Sequence, residues 1–331
     1  MKIQDKSLIR ILKTDEITND LWEKICDGYK ICFNVDHTPA RLKETFSKTI
    51  TGYTLHAVKM TADGKLMGHN YFQPRPYKYK GKDVVIAVSG GTFVIPEYRK
   101  DIFIFKDLFK ALCNEAEKRG WIAQIGVPNE NSFKYSVKII KDKYIGDLGY
   151  YILPIHAGKA LKRNNRILDK LSAVYSNIAN KLNLGIVSLF NFKEKDVPLH
   201  INENDHFLSL RLSDPSYVHI RKGNYRGTYR MYNEEGILTA YILRFDENGK
   251  RSAKALAYIV DTILKQESPD AILYIGTLNI KQAILTKVPK KFVPHALTVT
   301  VSLLDKEDKE LAEILSSLSN FDYGLLNFDV R

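Results

Sequence analysis

Residues 90–140 carry the most restrictive pattern in the chain. A strand-like run over 83–96, DVVIAVSGGTFVIP, stops at Pro96, and the amphipathic stretch FKDLFKALCNEAEKRG follows and closes on Gly120. A second strand-like run, WIAQIGVP, stops at Pro128 and gives way to Asn129-Glu130-Asn131-Ser132. Glycine is the residue that leaves a helix through the left-handed region, and Asn and Ser side chains accept the free amides that open one. Strand, helix, strand and helix therefore follow one another here with each boundary chemically marked, which fixes an α/β class.

The flanking sequence extends the pattern. LIRIL at 8–12 reads as a strand, and the helix at 18–33 opens with a Thr cap. Pro39 suits the first turn of a second helix, and two alternating runs around Ala62-Asp63-Gly64 predict a hairpin. With the strand-like YIGDLGYYILPI, the order through residue 155 is β-α-α-β-β-β-α-β-α-β. A chain of 331 residues is long for one core and suits two. The basic helical stretch over 157–183 is read as the connection, so the expected domains are 1–155 and 156–331. The second half repeats the logic in a hairpin, a helix at SAKALAYIVDTILKQ and further strands, without a motif that aligns to the first half.

The formal charge of +12, from 50 Lys and Arg against 38 Asp and Glu, suits a protein that handles phosphorylated ligands. The basic residues are scattered along the chain, which argues against nucleic acid as the main partner. No run of eighteen apolar residues occurs and the start lacks a signal-peptide core, so the expectation is a cytoplasmic protein with no membrane partner. Cys26, Cys32 and Cys113 are too few for a zinc cage or a disulfide framework; they read as buried thiols, and no metal is expected.

Two landmarks in the opening segment, Val94-Ile95-Pro96-Glu97-Tyr98-Arg99 and Pro128-Asn129-Glu130-Asn131-Ser132, lie about thirty residues apart with one helix between them. In content, order and spacing this segment resembles the fourth strand, third helix and fifth strand of the GNAT N-acetyltransferases. The resemblance implies two GNAT-like domains, each a mixed, mostly antiparallel sheet flanked by helices, with the second degenerate. It implies acetyl-coenzyme A as co-substrate and transfer of its acyl group to the primary amine of a small acceptor. The second half is loosely similar to the degenerate domain of acyltransferases linked to surface polysaccharide, which points to an amino sugar. Tandem GNAT-fold transferases that use aminoacyl-tRNA are the alternative, and a non-catalytic binding module is a third.

Under that resemblance, backbone groups of Thr92, Phe93 and Val94 would pair with the pantetheine as a peptide adds to a sheet edge. Arg99, Lys100, Ile102, Phe103 and Ile104 would form the pyrophosphate turn at a helix N-terminus, with Lys106 adding charge and Asn129 and Ser132 opening the next helix. Relatives carry glycines where this chain has Ile102 and Ile104, and Asp101 adds a negative charge at the same turn. Tyr135 is the candidate acid for the leaving thiolate, with Ser136 at the family's more usual spacing. His69 and Glu97 are the candidate bases, in a region that also holds Tyr71.

Overall fold

The computed structural model describes residues 8–163, 165–293 and 295–328. The chain forms two units. One is assembled from 8–147, 198–211 and 297–320, the other from 148–197, 212–296 and 321–328. The first break falls after Asp147, not at 155, and neither unit is one continuous stretch, unlike the 1–155 and 156–331 division read from the sequence.

In chain order the first unit begins with β1 (Leu8–Lys13), α1 (Asn19–Phe33), α2 (Pro39–Ser47), β2 (Leu55–Met60), β3 (Leu66–Tyr79) and β4 (Lys82–Val94). It continues with α3 (Phe103–Lys118), β5 (Ala123–Gly126), α4 (Glu130–Tyr135) and β6 (Lys143–Asp147). The boundaries follow the sequence chemistry. Thr18 and Thr38 cap α1 and α2 by accepting the amides of Leu21 and Arg41, at 3.4 and 3.3 Å. Gly120 closes α3 with φ +74°.

The chain then leaves this unit for β7 (Gly149–Pro154), α5 (Ala157–Ala160) and α6 (Arg166–Leu189), and returns for β8 (Leu199–Ile201) and α7 (Asp205–Arg211). It leaves again for β9 (Tyr217–Lys222), β10 (Tyr225–Glu234), β11 (Ile237–Glu247), α8 (Ala253–Gln266), β12 (Ala271–Gly276) and β13 (Thr286–Lys287). It comes back with β14 (Thr298–Leu303) and α9 (Lys309–Ile314).

The sheet of the first unit runs β1-β2-β3-β4-β5-β14-β6, with β8 pairing the end of β3. All its pairs are antiparallel except β4 with β5. That one parallel pair needs a crossover, and α3 supplies it. The second sheet runs β13-β7-β12-β11-β10-β9, and its one parallel pair is β11 with β12, bridged by α8. Each sheet thus places a strand from a distant part of the chain, β14 or β7, antiparallel beside the second member of its parallel pair.

Side chains of the first sheet alternate between two cores. Val58, Phe93 and Ile95 pack with Trp22, Ile25 and Phe46 of α1 and α2. Leu55, Ala57, Phe72 and Ala87 pack with Ile104, Leu108 and Leu112 of α3. In the second unit α8 is buried against its sheet, and Ala173, Ala179, Leu184 and Val187 of α6 join that core. The basic stretch read as a connection is therefore a packed helix of the second unit.

Candidate active site

Pairing between β4 and β5 runs from Ile86 with Ala123 to Ser89 with Gly126 and then stops, while β4 continues to Val94. The strands split beyond the Ser89–Gly126 pair. On its other edge β4 stays paired to β3, but with an irregularity: Tyr71 opposes Gly90 and His69 opposes Phe93, so three steps on β4 match two on β3. This is a β-bulge, and Gly91 carries its positive φ of +54°. A Cβ at Gly91 would lie 2.5 Å from the Tyr29 hydroxyl and 2.7 Å from the Tyr71 ring, so only glycine lets both phenols close over the bulge.

The amide of Ile95 donates to the Met67 carbonyl at 2.9 Å, so by the alternation of the ladder the backbone groups of Val94 point away from β3, into the split. Arg99 Nε donates to the Val94 carbonyl at 2.9 Å. Arg99 is thereby fixed beside the split, and its side chain has no acidic partner among the described residues. Thr92 donates through its hydroxyl to Asn70 Oδ1 at 2.7 Å. Phe93 is a core residue whose ring packs on Tyr29 and Phe33, so it can offer a ligand backbone only.

The turn before α3 differs from a glycine-rich anion cradle. The Phe103 amide donates to the Asp101 carboxylate at 3.0 Å, and the Ile104 amide to the Asp101 carbonyl at 3.3 Å. Ile102 and Phe103 are half-exposed, whereas Ile104 is fully buried under β3. Ile104 is thus a core residue and its side chain lies outside any ligand turn. Lys100 is exposed, and Lys106 lies over the Phe103 ring.

Asn129 and Ser132 cap α4: Asn129 Oδ1 accepts the Ser132 amide at 3.0 Å and its hydroxyl at 2.9 Å. Their polar atoms serve the helix start. After Tyr135 the helix widens into a π-turn over Ser136–Ile140, held by the buried Asp142, which accepts from the hydroxyls of Ser136 and of Ser302 on β14. The inserted strand therefore anchors the turn that follows Tyr135. Ser136, at the alternative position for the acid, is committed to this anchor.

Tyr135 packs its ring edge-on to Phe105, with centroids 5.2 Å apart, and its hydroxyl is buried without a partner among the described residues. Burial first, and then the carboxylates of Asp101 and Asp107, raise its pKa above the usual phenol value. Buried atoms on β3 and β5 share this state: Asn70 Nδ2, His69 Nδ1 and Gln124 Oε1. Buried polar atoms are nearly always paired, so Tyr135, Asn70 and Gln124 each keep a polar group open to a further partner.

His69 is fully buried among Tyr29, Tyr71 and Phe93, with Nε2 3.0 Å from His56 Nδ1; His56 Nε2 is in turn 3.3 Å from Thr14 Oγ1. Desolvation lowers the His69 pKa to about 3, and His56 is depressed for the same reason and by His69 itself. So weak a base, closed off from solvent, is unsuited to take a proton from an ammonium group at neutral pH. Glu97 is exposed on the turn after β4, and its charge acts on Lys65 of the β2–β3 hairpin. Val94 and Arg99 are thus joined at the split and Thr92 lies on the same stretch of β4, Tyr135 packs on Phe105 of α3, and His69 and the Ile104 side chain lie in the core. Asn70 and Gln124 carry no motif and were not read from sequence.

No protein-family model matches the chain, and neither does any curated protein. Solved structures do match. A conserved protein of unknown function from Enterococcus faecalis V583, described as a probable N-acyltransferase, aligns over 90% of this chain and 73% of its own with TM-score 0.55 and 13% identity. A GCN5-related N-acetyltransferase from Kribbella flavida aligns over 90% and 72% with TM-score 0.57 and 13% identity. Eis1 from Mycobacterium abscessus aligns over 94% and 76% with TM-score 0.52 and 12% identity.

Proposed function

Given that the chain has the fold of the GCN5-related N-acetyltransferases, we propose that its first unit holds acetyl-coenzyme A in the β4–β5 split and transfers the acetyl group to the primary amine of a small acceptor. An amino sugar is the first acceptor to try, following the sequence resemblance. The observation that carries this reading is the split itself, where β4 runs on from Ser89 to Val94 without β5 beside it.

The donor supplies a thioester carbonyl. Its amides would pair with the free edge of β4 over 90–94, where Val94 faces the split. Arg99, tethered to the same carbonyl row, would carry charge to the phosphates. When the amine attacks, a C–N bond forms, the C–S bond breaks, the ammonium proton goes to a base and the thiolate takes a proton. Tyr135 would donate that proton: its hydroxyl has no partner among the described residues, and its raised pKa keeps the phenol protonated at neutral pH. The base stays unassigned.

The test is release of free coenzyme A thiol from acetyl-coenzyme A on addition of amines, beginning with amino sugars. Turnover with one amine and none without protein supports the reading; no release with any amine and no binding of the donor refutes it.

A single observation favours the aminoacyl-tRNA alternative: the Asp101 carboxylate already occupies an amide at the α3 N-terminus, where a pyrophosphate would bind. In that case coenzyme A would not raise the melting temperature, and tRNA affinity would fall steeply with salt.

A further inference from the structure

The inward side of α6 packs Ala173, Ala179, Leu184 and Val187 on the core of the second unit and carries polar side chains among them. Ser172 and Ser176 donate to the carbonyls of Ile155 and Pro154 at 2.8 and 2.7 Å, and Asn180 donates to Asp261 at 3.0 Å, all within the second unit. A second set of large apolar residues lies on the opposite side. Ile167, Leu171, Val174, Ile178, Leu182 and Leu189 are each exposed by between 53% and 78%. At 3.6 residues per turn these six fall within an arc of about 80°. A surface helix of a globular protein buries one apolar stripe and turns a polar face outward, whereas α6 carries a second stripe outward. An outward stripe of this length is the mark of a second surface that covers it.

Charge selects the kind of surface. On the same helical wheel Lys170 and Lys181 run along one margin of the arc, and both are exposed. The one acid of the helix, Asp169, is turned inward, where its carboxylate accepts the Lys159 amide at 3.1 Å. Beyond the helix, Phe192, Lys193, Lys195 and Lys281 border an open cleft of ≈ 610 Å³ whose floor includes Leu278 and Ile280. Apolar residues beside cations, with none of the residues lining the cleft acidic and the exposed Asp196 next to Lys195 within reach of Lys250, match lipid headgroups of negative charge.

A second copy of the chain fits less well. Stepping from Ile167 through Leu171, Val174, Ile178, Leu182 and Ile186 to Leu189 takes six intervals over 22 residues, about 3.67 per turn, whereas a two-stranded left-handed coil needs 3.5. Two such faces would also set lysine rows together with no acid to pair them. Among the described residues no helix is long and apolar enough to cross a bilayer, so α6 would lie in the headgroup plane.

We propose that the outward face of α6 docks this protein onto an anionic lipid bilayer, with Lys170 and Lys181 and the lysine-rimmed cleft on the headgroups. The test is co-sedimentation of the full chain with vesicles of equimolar phosphatidylglycerol and phosphatidylcholine, beside vesicles of phosphatidylcholine alone. Binding is expected to the anionic vesicles. Lys170→Ser with Lys181→Ser should weaken it roughly 25-fold, about fivefold per lysine. Ile178→Glu with Leu182→Glu should abolish it without lowering the melting temperature, because both positions are exposed. Failure of the native chain to bind overturns the proposal, as does binding that neither double substitution changes. If the native chain stays off vesicles and light scattering shows a dimer that Ile178→Glu with Leu182→Glu disperses, the face belongs to a second copy.

Discussion

The carboxylate of Asp101 accepts the amide of Phe103 at 3.0 Å, placing a fixed negative charge at the N-terminus of α3. This contact competes with any phosphate for the same amide and the same helix-dipole field. Asp101→Asn keeps an oxygen acceptor for the cap and removes the charge. It should tighten acetyl-coenzyme A binding by about 0.3–1 kcal/mol, roughly two- to fivefold, in calorimetric titration. Unchanged or weaker binding would show that the phosphates do not approach this turn.

Restoring glycines to the turn should not have the same effect. Ile104 is fully buried against Leu55, Phe72 and Leu108, so Ile104→Gly removes a core side chain and adds a helix glycine, costing about 3–6 kcal/mol of stability. Ile102→Gly, at a half-exposed cap position, should cost less than about 0.5 kcal/mol. Denaturant unfolding of the two single variants separates these outcomes; equal, small losses would contradict the burial of Ile104.

Tyr135→Phe keeps the ring contact with Phe105 and removes only the hydroxyl. If that hydroxyl protonates the leaving thiolate, kcat should fall about 100-fold or more while KM for the donor changes little. Because burial raises the phenol pKa, loss of activity through this group should appear only above the ordinary tyrosine range, near pH 10. A variant as active as the native chain would remove Tyr135 from the mechanism.

The buried histidine pair predicts an acid-sensitive first unit. His69 titrates at about 3 when folded and near 6.5 when unfolded, and His56 is shifted the same way. The unfolded chain therefore binds more protons between those values. The contribution is fully present above pH 6.5 and is lost as pH falls toward 3, with a slope of up to about 1.4 kcal/mol per pH unit for each imidazole. Unfolding free energies measured from pH 7 to 4 should show this slope, and His56→Gln with His69→Gln should flatten it. An equal slope in the variant would place the acid sensitivity elsewhere.

Local chemistry made much of the first unit legible. Thr18, Thr38, Gly120 and Asn129 mark helix ends where the structure has them, because a cap is a contact between near neighbours. The run YIGDLGYYILPI read as strand and is strand, but it divides into β6 and β7, which join different sheets. Alternation reports which residues extend; it does not report partners. For the same reason the strand-like run LTVTVSLL at 297–304, in the second half of the chain, carries no sign that it enters the first sheet beside β5. At the site, the two landmarks found the split and the turn. His69 and Glu97 were candidates by residue type and region; burial removes His69, while Glu97 stands exposed on the turn after β4.

The most direct measurement is calorimetric titration of the full chain with acetyl-coenzyme A. The account predicts saturable binding at one site, weakened by Arg99→Ala by about 1.5–3 kcal/mol, on the order of a ten- to hundredfold rise in Kd, and unaffected by Lys65→Ala on the exposed β2–β3 turn. Absence of binding both by the native chain and by Asp101→Asn would contradict it and leave the split without the donor proposed for it.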